Sequence, residues 1–370
     1  MARAGFGPGW RCLFANDFDA RKGASYIANW GAADFRLGDI HGLRADDIPG
    51  HADLAWASFP CQDLSLAGNG AGLGGARSGA FYGFRDVIAG LARRGRAPSV
   101  LVLENVLGAL TSNGGGDFVA LCESLRALGY DPGALTIDAA RFTPQSRPRL
   151  FVIATRRGTP TPAGAVTGEP DPAFATPSLR RAVAAMPAAL RDEWRWWALP
   201  PAPSINTRLD DLIEEAPDDV DWHKPEETDR LLSLMAPGHL AAVDAIRRSG
   251  ERRVGAIYRR TRVEAGRKVQ RAEARFDGLA GCLRTPGGGS SRQFIIVIEG
   301  ARTRTRLLSG REAARLMGLP EDYRLPARYG DAYHLLGDGV VAPVVRHLAT
   351  HLLAPLVARA RESQQRADSA

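Results

Sequence analysis

The sequence predicts an α/β protein with a doubly wound domain over residues 1–158 and a second, smaller domain after it. Three observations carry that expectation. Short apolar runs alternate with helical stretches from Arg11 to Thr155, the rhythm of strands joined by crossover helices. Polar residues fall at the carboxyl ends of those runs, where open α/β sheets bind ligands. After Arg157 the alternation stops, at a stretch punctuated by Pro160, Pro162, Pro170, Pro172 and Pro177, which reads as a linker.

Taken in order, strands are expected at 12–16 (CLFAN), 53–59 (DLAWASF), 99–104 (SVLVLE), 134–138 (ALTID) and 149–155 (RLFVIAT), with a short strand ending at Gly38-Asp39. Helices are expected near 19–29, 79–94 and 117–128. Residues 159–305 form the linker and the second domain, with little periodicity. They hold Trp194, Trp196 and Trp197, read as packing groups. Helical character returns over 306–360, where Ser309 and Glu312 fit a capping box and Val344, Val345, Leu348, Leu352 and Leu353 make an apolar stripe. These residues are expected to rejoin the first domain, and residues 361–370 to fray.

With 370 residues, 45% hydrophobic and 24% charged, the composition excludes disorder and collagen-like repeats. No run approaches the ~18 apolar residues of a membrane span, and the N-terminus lacks a signal-peptide core. A cytoplasmic monomer without membrane contact is expected. Four cysteines (Cys12, Cys61, Cys122, Cys282) are too scattered for a disulfide framework or a zinc site, so no metal is expected. The net charge of +7 is almost all arginine, since Lys22, Lys224 and Lys268 are the only lysines. The positive charge is concentrated between Ile246 and Arg271, where ten cations face Glu251 and Glu264.

Pro60-Cys61-Gln62 places a thiol just past an expected strand, Glu104-Asn105-Val106 ends the next, and Gln145-Ser146-Arg147-Pro148-Arg149 opens the last. Taken singly, these read as a buried cysteine, a helix-start acid and a charged loop. Their order and separation strongly resemble the DNA (cytosine-5) methyltransferase family. Asn16-Asp17-Phe18-Asp19 and Gly38-Asp39-Ile40 are similar to its cofactor-edge motifs. Arg77-Ser78-Gly79-Ala80-Phe81 is similar to the motif after its catalytic loop, and 306–320 and 335–345 to its last two motifs.

The resemblance implies a Rossmann-like S-adenosylmethionine-dependent sheet with a target-recognition domain, acting on duplex DNA. Cys61 would be the nucleophile that adds to cytosine C6, because C5 is too poor a carbon nucleophile unless electron density is supplied through the ring. Nearby cations lower a thiol pKa, a role open to Arg147 and Arg149. Glu104 would bind the ring N3 and exocyclic amine, with Arg149 and Arg147 toward O2 and the carboxylate. The buried target carbon requires base flipping. S-adenosylmethionine would lie on Asp17, Phe18, Asp39, Ile40, Pro60, Asp338 and Val340. Asp338 stands where the family more commonly has Asn.

Arg259, Arg260, Arg284, Ser290, Ser291 and Arg292 are the candidate DNA contacts, since clustered cations neutralise phosphates and main-chain amides and hydroxyls hydrogen-bond to them. A cognate restriction endonuclease is a candidate functional partner. No FxGxGG turn is present; Gly5-Phe6-Gly7-Pro8-Gly9 reads as a turn before the strand at 12–16. Alignment on residues 16–19 puts Met1 just after the place of that turn, so the sequence predicts a natural start further upstream and weak donor binding in the chain as given. The alternatives are an RNA-methylating relative and a truncated, inert DNA-binding one.

Overall fold

The computed structural model describes residues 1–59, 79–285 and 292–369. They form two compact units: an α/β unit of 8–138, 148–201 and 346–370, and a hairpin unit of 1–7, 139–147 and 202–345.

In the α/β unit, β1 (Ala15–Asp17) and β2 (Phe35–Leu37) pair in parallel. They make a sheet of their own. The main sheet contains β3 (Leu54–Ser58), β4 (Val100–Val106), β5 (Tyr130–Asp138) and β6 (Pro148–Arg156), in the order β3-β4-β6-β5. β3 and β4 are parallel, whereas β6 runs antiparallel to both neighbours. Val100 to Leu103 are at most 1% exposed, so the first four residues of β4 are an unbroken apolar run, as in a strand covered on both faces. Helices Ala80–Arg93 and Gly116–Ala127 bury Phe81, Ile88, Leu121 and Leu125 in the same core as Leu101 and Leu103. Helix Ala20–Trp30 starts where the Asp19 carboxylate accepts from the Arg21 and Lys22 amides, a side-chain cap for otherwise unpaired donors.

Over residues 12–157 the strands and helices fall where expected, except that the strand expected at 12–16 is Ala15–Asp17 and the short strand expected to end at Gly38-Asp39 ends at Leu37; the stretch read as a linker is folded onto this unit. Its prolines are visible in the sequence, while its widely spaced apolar residues are what anchor it: Phe174 and Trp197 are 1% exposed and Leu179 is 0% exposed. The Trp197 indole donates to the Ile153 carbonyl at 3.0 Å, across the small pair β7 (Val166–Thr167) and β8 (Trp196–Trp197). The tryptophans pack, as expected, with Trp194 and Trp196 edge to face at 5.9 Å.

The hairpin unit is built on β9 (Arg252–Glu264), β10 (Arg267–Arg275), β11 (Phe294–Glu299) and β12 (Arg302–Leu307), an antiparallel sheet in the order β10-β9-β11-β12. Helices Pro225–Ser233 and Pro237–Ser249 close its core through Leu231, Leu232 and Val243 against Ile257, Ile296 and Ile298.

Several boundaries differ from the sequence expectation. Residues 306–345 cluster with the hairpin unit, and only 346–370 with the α/β unit. A reason lies in the buried Arg306–Glu312 pair and the Gln145 side chain, which tie the helix Gly310–Leu316 to its neighbours in that unit. Residues 2–6 are a short helix, with Gly7 at φ 76° after it. The tail does not fray: helix Ala354–Asp368 continues, and Arg361 forms a two-pronged pair with Asp53 at 2.8 and 2.7 Å. The helical stretch 329–367 is long and apolar enough to cross a membrane by length and composition, but 67% of its most apolar window is buried inside the fold, as in a core helix.

Candidate active site

Pro60 and Cys61 lie outside the described residues, as do Arg77, Ser78, Ser290 and Ser291; Phe59 and Gly79, and Thr285 and Arg292, are the nearest described residues on either side. Phe59 is 7% exposed and ends the segment after β3. Its carbonyl accepts from the Asn105 side-chain amide at 3.0 Å. Its ring lies 5.7 Å from that of Phe81, on the other side of residues 60–78 in sequence. Asn105 is itself held because its Oδ1 accepts from the Val106 amide at 2.8 Å. The sequence marked Asn105 only as part of a motif; its amide is what ties the ends of β3 and β4 together.

One residue earlier, Glu104 is 6% exposed. Its Oε1 stands 3.1 Å from Arg149 Nε, with the two side chains 7% and 13% exposed. The register of β4 with β6 makes this pair: Val106 faces Arg149 and Glu104 faces Phe151, so the charged groups are diagonal neighbours across two hydrogen-bonded strands. Arg149 also donates to the Pro148 carbonyl at 2.9 Å. A nearly buried carboxylate held by a guanidinium is costly unless paired, and it keeps a fixed orientation when it is.

At the carboxyl ends of β1 and β2, Asp17 accepts from the Asp19 amide and Asp39 from the His41 amide, both at 2.9 Å and both through Oδ1. The Phe18 ring between them in sequence is 75% exposed. Ile40 opens the turn Ile40–Gly42 and rests on helix Ala80–Arg93, where a Cβ on Gly83 would stand 2.6 Å from Ile40 Cγ2. An exposed aromatic ring next in sequence to one strand-end carboxylate, with a second carboxylate just past the end of the paired strand and each with one oxygen committed to its own turn, is a donor set that could hold an adenosine group.

In the hairpin unit, Arg147 is 1% exposed. It donates to the carbonyls of Leu283 (2.7 Å), Gly337 (2.7 Å) and Gly339 (2.5 Å), and its Nη1 lies 3.4 Å from Cys282 Sγ. Gln145 donates to the Leu316 carbonyl at 2.9 Å and accepts from the Leu283 amide at 3.2 Å. These two residues therefore hold main chain rather than standing open to solvent. Asp338 is exposed and accepts from the Thr285 hydroxyl, while Val340 is 5% exposed. Arg284 is exposed, and the Arg292 guanidinium sits 5.2 Å from the centre of the Tyr329 ring. Arg259 lies over Phe294 at 5.2 Å, and Arg260 over Tyr258 at 5.5 Å.

Solved structures share this fold. A Spodoptera frugiperda DNMT2 variant aligns over 96% of this chain and 95% of its own, with a TM-score of 0.57 at 16% identity. Schizosaccharomyces pombe Dnmt2 aligns over 94% and 91%, with a TM-score of 0.52 at 18% identity. The fold is thus the Rossmann-like, mixed α/β one of these structures. The model of the C-5 cytosine-specific DNA methylases matches residues 2–354, and the chain belongs to that family. Among relatives, the Type II methyltransferase M.NgoBI of Neisseria gonorrhoeae is 24% identical over 95% of this chain and 89% of its own length. M.HpaII of Haemophilus parainfluenzae is 25% identical over 94% and 84%.

Proposed function

We propose that this cytosine-5 DNA methyltransferase acts on a cytosine flipped from duplex DNA, with Cys61 as nucleophile and S-adenosylmethionine as donor. The observation that supports this most is the nearly buried Glu104–Arg149 pair at 3.1 Å, beside the strand end that leads into Pro60-Cys61. Cys61 gives its thiolate electrons to C6, and the ring density moves toward C5 and N3. Glu104, in its acid form, donates to N3 and accepts from the exocyclic amine, a pattern thymine does not offer. Arg149 donates to O2 while fixing the carboxylate. S-adenosylmethionine, when bound, supplies an electrophilic methyl carbon. A solvent base then takes the C5 proton, the C5–H electrons re-form the C5–C6 double bond, and Cys61 leaves as the thiolate.

Asp17 would accept from ribose hydroxyls, Phe18 and Ile40 would cover the adenine, and Asp39 would accept from its amine. Pro60, Asp338 and Val340 are the further donor contacts that the family resemblance implies. Arg147 positions the backbone at Leu283, Gly337 and Gly339. Arg259, Arg260, Arg284, Ser290, Ser291 and Arg292 approach the DNA backbone. A cytoplasmic monomer is the expected setting, and a restriction endonuclease as functional partner accords with the Type II designation of the relatives.

The test is transfer of a labelled methyl group from S-adenosylmethionine to duplex DNA and to RNA in parallel. Label on duplex cytosine C5, lost by roughly a thousandfold or more in Cys61→Ser and by at least about a hundredfold in Glu104→Gln, is expected. Label on RNA alone, or full activity in Cys61→Ser, overturns the reading.

A further inference from the structure

The β9–β10 ribbon changes character along its length. Near its base Val254, Ala256, Ile257 and Ala272 are buried, at most 2% exposed. From Arg259 to Glu264 every residue of β9 is exposed, as are Arg267, Lys268 and Gln270 of β10. The bare part spans roughly 17 Å at the strand rise. Between Arg259 and Glu273 six cations (Arg259, Arg260, Arg262, Arg267, Lys268, Arg271) face only Glu264 and Glu273. A projecting, strongly positive two-stranded ribbon complements a polyanion, and its cross-section is one that the major groove of DNA admits.

Register separates the ribbon's two faces. The pairs Tyr258↔Glu273, Arg260↔Arg271, Arg262↔Val269 and Glu264↔Arg267 lie on one face, and Arg259↔Ala272, Thr261↔Gln270 and Val263↔Lys268 on the other. On the first face three of the four arginines are paired with carboxylates of the ribbon itself. Arg262 Nε donates to Glu273 at 2.6 Å, Arg271 Nε donates to Glu264 at 2.7 Å, and Arg260 stands 3.5 Å from Glu273. The second face carries no carboxylate. Thr261, Lys268 and Gln270 make no side-chain hydrogen bond or ion pair among the described residues, and Val263 is 71% exposed.

We infer that this second face, Thr261, Val263, Lys268 and Gln270, lies in the major groove and reads the base sequence around the target cytosine. A side-chain amide matches the paired donor and acceptor of adenine, an ammonium the acceptors of guanine, and an apolar tip the methyl of thymine. Arg260, Arg262 and Arg271 of the first face keep their intramolecular carboxylates and lie toward the rim, along the DNA backbone. This inference rests on the duplex-DNA substrate proposed above.

The test selects duplexes from a random pool by binding and, separately, maps methylated sites on the same pool, for the wild type and for Thr261→Ala, Lys268→Ala and Gln270→Ala. Arg262→Gln is the control on the other face, and thermal melting confirms that each variant folds. Preference at one or two base pairs is expected to fall roughly tenfold in Gln270→Ala or Lys268→Ala, in line with the loss of a good base contact. It should be retained in Arg262→Gln. Methylation at a preferred sequence with an unchanged profile in all three variants of the second face, or an equal change in Arg262→Gln, overturns the inference alone. A wild type that neither selects nor methylates duplex DNA overturns it together with the substrate on which it rests.

Discussion

Glu312 shows how much one side chain holds in the hairpin unit. Its carboxylate receives two bonds from Arg306, at 2.8 and 2.5 Å, and one from the Ser309 amide at 2.8 Å, while both members of the ion pair are 0% exposed. Arg306 also donates to the Glu214 carbonyl at 2.6 Å and lies 4.7 Å from the Trp222 ring centre. Removing one partner leaves an unmatched buried charge. Glu312→Gln is therefore expected to destabilise the protein by about 3–5 kcal/mol, read from the denaturant midpoint of the hairpin unit; a loss below about 1 kcal/mol would contradict the buried pair. The capping box was legible from Ser309 and Glu312 alone, because its spacing is local. Arg306 was not, since its pairing depends on burial, which a charged residue does not announce. Arg147 was singled out for its charge beside a thiol and a base, but its bonds run to the backbone carbonyls of Leu283, Gly337 and Gly339.

Among the elements, β3, β4 and β6 were readable because they are short apolar runs between turn signals. β9 and β10 were not, since both faces of their bare half are polar and no alternation of period two survives. The turn joining them adds a local cost. Ala265 at φ +46° and Gly266 at φ +76° are its two central residues, the positive angles that a two-residue hairpin turn demands. Glycine adopts that conformation freely, whereas alanine pays a steric cost of about 1 kcal/mol. Ala265→Asn is expected to raise stability by up to about 1 kcal/mol and to slow amide exchange in Arg262 to Val269. Unchanged or faster exchange would count against the turn geometry.

Across the whole molecule, the sequence located the α/β core and the residues that carry the resemblance, while the chain's division into units was less legible. The excursion of 139–147 into the hairpin unit falls between two strands of the other unit, separating Arg147 from Arg149 by unit although they are two residues apart. Linear reading assigns neighbours in sequence to one domain. It likewise sent 306–345 to the first domain, because recognition of a motif carries no information about which core buries it.

The most direct measurement uses a duplex bearing 5-fluorocytosine at the methylated position, incubated with the full chain and S-adenosylmethionine. Fluorine at C5 cannot leave as a proton does, so a sulfur bonded to C6 stays attached. A denaturation-resistant protein–DNA species, mapped by mass spectrometry to Cys61 and missing in Cys61→Ser, is expected. Methylation of the ordinary duplex by the same preparation, with no adduct on Cys61, would contradict the thiol addition on which the proposed chemistry depends.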